Sequence, residues 1–276
     1  NAAIREAWSR HLREADNLLA QDLVPEADAD AVDSQHGNYG RPSNQISRMA
    51  LLLGLAYQVT REGRYAQKLR EALLHYSGYQ KWFGKGLLRN DPPWHSELNT
   101  ARFCFGFALG YDAIYDTLSA DERAEIVGAV TRLGILPILD DWLLPERRVH
   151  ALDSMGHNWW SVCVSQAGLA ALAVMDEEPR AKAWAESAVH GLEEWFAYKG
   201  SSLLNKSPNF DDSGAFYESV NYANYALYEY LLFRLAYTRA FGENSVPRNA
   251  LLEQAGDYFL HTCYPTSEGL LTVNFG

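Results

Sequence analysis

The stretch SMGHNWWSVCVSQAGLAALAV, residues 154–174, decides the fold. From Trp160 onward its residues are apolar or small nearly all round, so a helix here has no wet face and must be buried on both sides. The segment 96–116 has the same character, while 120–138 and 179–197 carry the charged faces of an outer layer. A 3.6-residue periodicity runs through most of the chain and places helices near 2–20, 44–61, 65–78, 96–116, 120–138, 157–175, 179–197, 214–240 and 247–262. The fold class expected is therefore all-α, with inner and outer helices alternating as a toroid of helical hairpins. Only the closing LLTVNFG leaves this pattern and reads as the start of a strand. The domain division follows: 1–268 as the helical module and 269–276 as the approach to a β region.

A composition 47% hydrophobic over 276 residues suffices for one large core, and no Gly/Ser-rich or Pro-rich linker divides it. No apolar run approaches the ~20 residues that cross a bilayer, so a membrane is not expected as partner. The opening NAAIREAW has neither the basic nor the apolar region of a signal peptide. Cys104, Cys163 and Cys263 have no metal-type spacing and no disulfide framework is expected of them. The formal net charge of −11 argues against a general nucleic-acid binder and makes any anionic ligand a problem for the mean field.

Four segments carry chemistry. In the opening stretch, Asp153 or Ser154 can cap the helix, which puts His157 and Asn158 at its first turn beside free backbone N–H groups and the positive dipole end. An anion is stabilised there, a neutral His157 can accept a proton, and Asn158 can donate to a carboxylate. The plainer alternative has both residues satisfying the loop backbone while the tryptophans fill the core. In NFDDSGAFYESVNYANYALYEY, residues 209–230, Asp211, Asp212 and Ser213 are cap-type residues. Beyond them Glu218, Tyr222, Tyr225 and Glu229 share one stripe beside an apolar one. That mix of phenol, amide and carboxylate suits a concave sugar-binding surface, since buried Tyr hydroxyls need partners.

In NDPPWHSELNTARFCFGFALGYD, Ser96 is the expected N-cap, and Glu97 and Arg102 lie in the first two turns of a buried helix. Arg102 needs a carboxylate partner, from Glu97, another helix or a ligand. His95 and Glu97 make no metal site without a third ligand. QHGNYGRPSNQISR, with His36, Asn38, Tyr39, Arg41 and Asn44, reads as a substrate-lining loop, Asn38 and Arg41 being its candidate contacts, although an ordinary surface loop reads nearly as well; the loop lacks the Lys-Ser/Thr ending of a phosphate loop.

Taken in order, PWHSELNTARF…YDAIYD, GHNWWSVCVSQAGLAALAV, SGAFYESVNYANYALYEYL and TVNFG resemble the heparinase II/III-like polysaccharide lyases. The resemblance implies an incomplete (α/α) toroid followed by a β-sandwich absent from this chain, a periplasmic or secreted location, and β-elimination on a uronic-acid polysaccharide. It matches Tyr222 to the tyrosine acting as general base or acid, and His157–Asn158 to the pair that neutralises the uronate carboxylate; Tyr225 is the alternative phenol. Glu97, Arg102, Trp159, Glu218, Tyr225, Arg41 and Asn38 are then the candidate substrate contacts. The partner is an acidic polysaccharide or oligosaccharide, and no metal or other cofactor is called for. Two other readings stay open. A glycoside hydrolase would use a carboxyl pair drawn from Glu97, Asp211, Asp212 and Glu218, and a non-catalytic module would keep the aromatic cleft alone.

Overall fold

A helix without a polar face has to find partners on several sides, and the chain meets that demand with two layers. The computed structural model describes residues 2–267 and 269–272. Its helices are α1 (Ala2–Leu19), α2 (Glu26–Ala29), α3 (Gly40–Thr60), α4 (Gly63–Ser77), α5 (Leu98–Ile114), α6 (Ala120–Val130), α7 (Leu136–Trp142), α8 (Leu152–Met155), α9 (Asn158–Ala173), α10 (Ala181–Ala197), α11 (Val220–Phe241) and α12 (Ala250–His261). Two short strands follow, β1 (Cys263–Thr266) and β2 (Gly269–Thr272), paired antiparallel with Cys263 opposite Thr272.

The inner row is α3–α5–α9–α11, each packed on the next, with α1 and α4 behind α3, α6 behind α4 and α5, and α10 behind α9. Nearly every residue of α9 from Trp160 to Ala171 is buried. Glu14 of α1, Arg48 of α3, Phe105 of α5, Gln166 of α9 and Glu229 of α11 all line one cleft of about 480 Å³. The protein is thus mostly helical, as the periodicity predicts. No helix among the described residues is long and apolar enough to cross a membrane.

Element ends depart from expectation where a local group outbids a propensity. The helix expected over 214–240 begins at Val220: Asp211 accepts from the Ser213 and Ala215 N–H groups and closes a tight turn, leaving Ser219 to cap α11. The helix expected to end at 138 runs to Trp142, since a π-helical turn at Thr131–Ile135 lets the chain pass Pro137 without the hydrogen bond that proline cannot make. The β region begins earlier than expected, at Cys263, and Val273–Gly276 of the predicted strand lie outside the described residues.

Candidate active site

Two helix N-termini meet at the candidate site. His157 itself caps α9, with extended backbone, and its Nδ1 accepts the Trp159 N–H at 3.2 Å. Asp153 and Ser154, the expected caps, belong instead to the short helix α8, where the Asp153 carboxylate takes a hydrogen bond from the Tyr198 hydroxyl. A neutral imidazole that accepts at Nδ1 carries its hydrogen on Nε2. Burial pushes the His157 pKa below the ordinary histidine value, against the pull of nearby Glu218 and with Lys206 adding to the lowering. His157 is therefore neutral at pH 7, and its remaining ring nitrogen is a donor.

Asn158 follows as the first residue of α9. Its backbone N–H and its Nδ2 both donate to Glu218 Oε2, at 2.8 and 2.9 Å, so Glu218 occupies the positive end of the helix. Asn158 Oδ1 is buried with no hydrogen-bond partner among the described residues. Glu218 stands one position before Ser219, whose Oγ accepts the Tyr222 N–H at 3.2 Å. That cap fixes the first turn of α11 and leaves the Tyr222 side chain exposed. A cleft of about 320 Å³ results, lined by Gln35, Trp94, Met155, His157, Asn158, Trp159, Glu218 and Tyr222. Five of the residues singled out in the sequence thus share one cavity, although Tyr222 lies more than sixty positions beyond Asn158.

The other candidates lie elsewhere. Glu97, not Ser96, caps α5; it is completely buried, and its Oε2 is 2.9 Å from His36 Nδ1. Ser96 Oγ donates to Asp141 instead, at 2.8 Å. Arg102 does not reach Glu97: it donates to Asn44 Oδ1 at 2.8 Å. With Tyr225 it lines the inner cleft, where Gln166 lies two turns along α9 from Asn158, about 12 Å. Burial pushes the Tyr225 phenol up to about 12 and the neighbouring Glu229 carboxyl up to about 7. Tyr222 and Tyr225, one turn apart, therefore face different cavities. Asn38 is turned away, its Nδ2 donating to the Asp28 carbonyl, and Arg41 is exposed in the first turn of α3.

No lysine or arginine is among the described residues that line the outer cleft. Glu218 is the one carboxylate among its lining residues, and it is hydrogen-bonded. Of the basic residues, Arg48 pairs with Glu14, Arg89 with Asp33, and Lys206 donates to the Tyr217 hydroxyl at 3.2 Å. Of the carboxylates a hydrolase would need, Asp211 is bound into its turn, Glu97 is buried against His36, and Glu218 lines the outer cleft. No group of three or more His, Cys, Asp or Glu among the described residues is placed to hold a metal ion. His36, named in the sequence among the residues of a possible substrate-lining loop but given no role of its own, has its ring 5.7 Å from that of Trp159 at the rim of the cleft. Its only signal was membership of the 35–48 loop.

No family model matches the chain. It is similar to the exo-oligoalginate lyase of Saccharophagus degradans, 24% identical over 262 residues. That alignment takes in 91% of this chain and 32% of the other, so the chain spans about a third of the length of this curated relative.

Proposed function

We propose that the chain is the helical module of a polysaccharide lyase, an incomplete (α/α) toroid acting on a uronic-acid-containing polymer by β-elimination. One observation carries this reading: Tyr222 and the His157–Asn158 pair line a single cleft at the N-terminus of α9. The similarity to an exo-oligoalginate lyase supports the reaction class and an acidic sugar as substrate.

The chemistry fits the groups. A proton next to a uronate carboxylate becomes removable only when that carboxylate is neutralised and the developing enolate meets preorganised donors. The Nε2–H of neutral His157 and the second Nδ2 hydrogen of Asn158 are such donors, and Glu218 holds the Asn158 amide in place. Tyr222, as general base, takes the C5 proton; the electron pair forms the C4–C5 double bond and the C4–O bond breaks. The same phenol then returns its proton to the leaving glycosidic oxygen.

The test is a panel of uronate polysaccharides and oligosaccharides assayed for the unsaturated, ultraviolet-absorbing product. New reducing ends without absorbance would replace elimination by hydrolysis. Binding with no new ends at all would leave a carbohydrate-binding module.

A further inference from the structure

The carboxylate of Glu97 has no exposed surface, and a carboxylate taken out of water needs a cation. His36 is the partner the fold provides: Nδ1 to Oε2 is 2.9 Å, with the imidazole half exposed and the carboxylate fully covered. The pairing raises the His36 pKa above the ordinary histidine value, the hydrogen bond to Glu97 outweighing the opposing effect of burial. With Nδ1 spent on Glu97, the Nε2–H of His36 is left for solvent or a ligand.

The loop that carries His36 is built to hold it there. Ser34 O accepts the Gly86 N–H at 3.0 Å, and Ala29 O accepts the Asn38 N–H at 2.9 Å. A side chain at Gly84 would strike the backbone of Gln35, His36 and Gly37 at 2.5 Å, so the 84–86 segment is pressed directly against this loop. Gln35 lines the outer cleft, and so does Trp159, whose ring lies 5.7 Å from that of His36 and 5.5 Å from that of His157. The indole thus neighbours two imidazoles, one neutral and one paired with a buried carboxylate. The charged groups near it have their own partners: from α5 His36 meets Glu97, from α9 the uncharged Trp159, while Lys85 of the 84–86 segment donates to the Asp30 carbonyl at 3.1 Å, Asp33 on its own loop is tied to Arg89 and Glu218 to Asn158.

We propose that His36, held by Glu97, is the cationic recognition group for the carboxylate of a second uronate residue, seated beside Trp159 and next to the sugar that reaches Tyr222. The assignment rests on the lyase reading for its substrate class and explains how an acidic protein selects an acidic chain. It makes His36 a specificity-determining residue with no part in proton transfer.

Three variants test it: His36→Gln, His36→Lys and, for the buried partner, Glu97→Gln. Binding of a uronate oligomer and of its carboxyl-reduced counterpart is followed by nuclear magnetic resonance on this chain, beside KM and kcat for the acidic oligomer. Expected for His36→Gln is a loss of about tenfold in affinity and a matching rise in KM, with kcat within about twofold, the scale of one charge-assisted hydrogen bond. The reduced oligomer loses no affinity. His36→Lys restores binding and removes its pH dependence, which in the wild type weakens as pH rises through the His36 pKa. The His36 ring nitrogens, observed directly, should titrate above the ordinary histidine value in the wild type and lose that displacement in Glu97→Gln. Unchanged affinity in His36→Gln, or equal losses for acidic and reduced oligomers, overturns the proposal. His36-dependent binding without absorbing product keeps it and overturns the lyase reading; product with a His36-independent KM does the reverse; and absence of both binding and product overturns the two together.

Discussion

Tyr222 and His157 divide the proposed chemistry because of what each already bonds to. The His157 lone pair at Nδ1 is used in capping α9, so this imidazole donates, and proton removal falls to the phenol. Tyr222→Phe keeps the ring and the Ser219 cap but loses the acid–base group; kcat should fall about 100- to 10,000-fold with binding retained, measured by product absorbance and by titration. Protonation of His157 would cost α9 its cap. Since the folded pKa lies below the unfolded value, this cap adds stability that is present above about pH 6.5 and is lost as pH falls toward the lowered pKa. His157→Asn keeps a capping oxygen and an amide donor without a titrating ring, so the acid limb of kcat/KM below about pH 6.5 should flatten in this variant; an unaltered limb would assign it to another group. At this scale the sequence was legible where chemistry and position coincide. A histidine and an asparagine opening an apolar helix stand out, and so does a tyrosine in the first turn of another. His36 does not, because its role depends on a buried carboxylate sixty-one positions away that nothing local announces.

The helices themselves could be read from periodicity, and their ends less well, for reasons that lie in specific contacts. Asp211 binds two nearby N–H groups in a turn and so delays α11, and a π-turn carries the chain past Pro137 instead of stopping it. Which helix neighbours which follows only partly from hydrophobicity: a helix apolar all round must be inner, but its neighbours are set by shape. Gly134, in the π-turn, illustrates this. An added Cβ there would sit 2.5 Å from Cys104 Sγ and 2.9 Å from the Trp82 ring, both fully buried. Gly134→Ala should therefore destabilise the fold by about 1–3 kcal/mol through overpacking between α5 and the π-turn, seen as a lowered midpoint in denaturant with unchanged slope. An alanine that leaves the midpoint in place would mean that this contact has room to spare.

Over the whole molecule, the charge and the site pull in opposite directions. A net charge of −11 repels an anionic polymer at long range, while on the proposed reading the donors of the outer cleft attract its carboxylates at short range. Salt separates the two, because the screening length is about 30 Å at 0.01 M and about 8 Å at 0.15 M. At the lower concentration the acidic surface is felt across the approach to the cleft, so kcat/KM for an acidic oligomer should rise as salt is added from 0.01 M. Beyond about 0.15 M the screening begins to reach charge pairs at the rim, and kcat/KM should turn over and fall. A cleft that relied on long-range attraction would give a monotonic decline from the lowest salt, which is the result that would remove local recognition from the argument. A carboxyl-reduced oligomer has no charge for either field to act on, so its binding should stay flat across the same range.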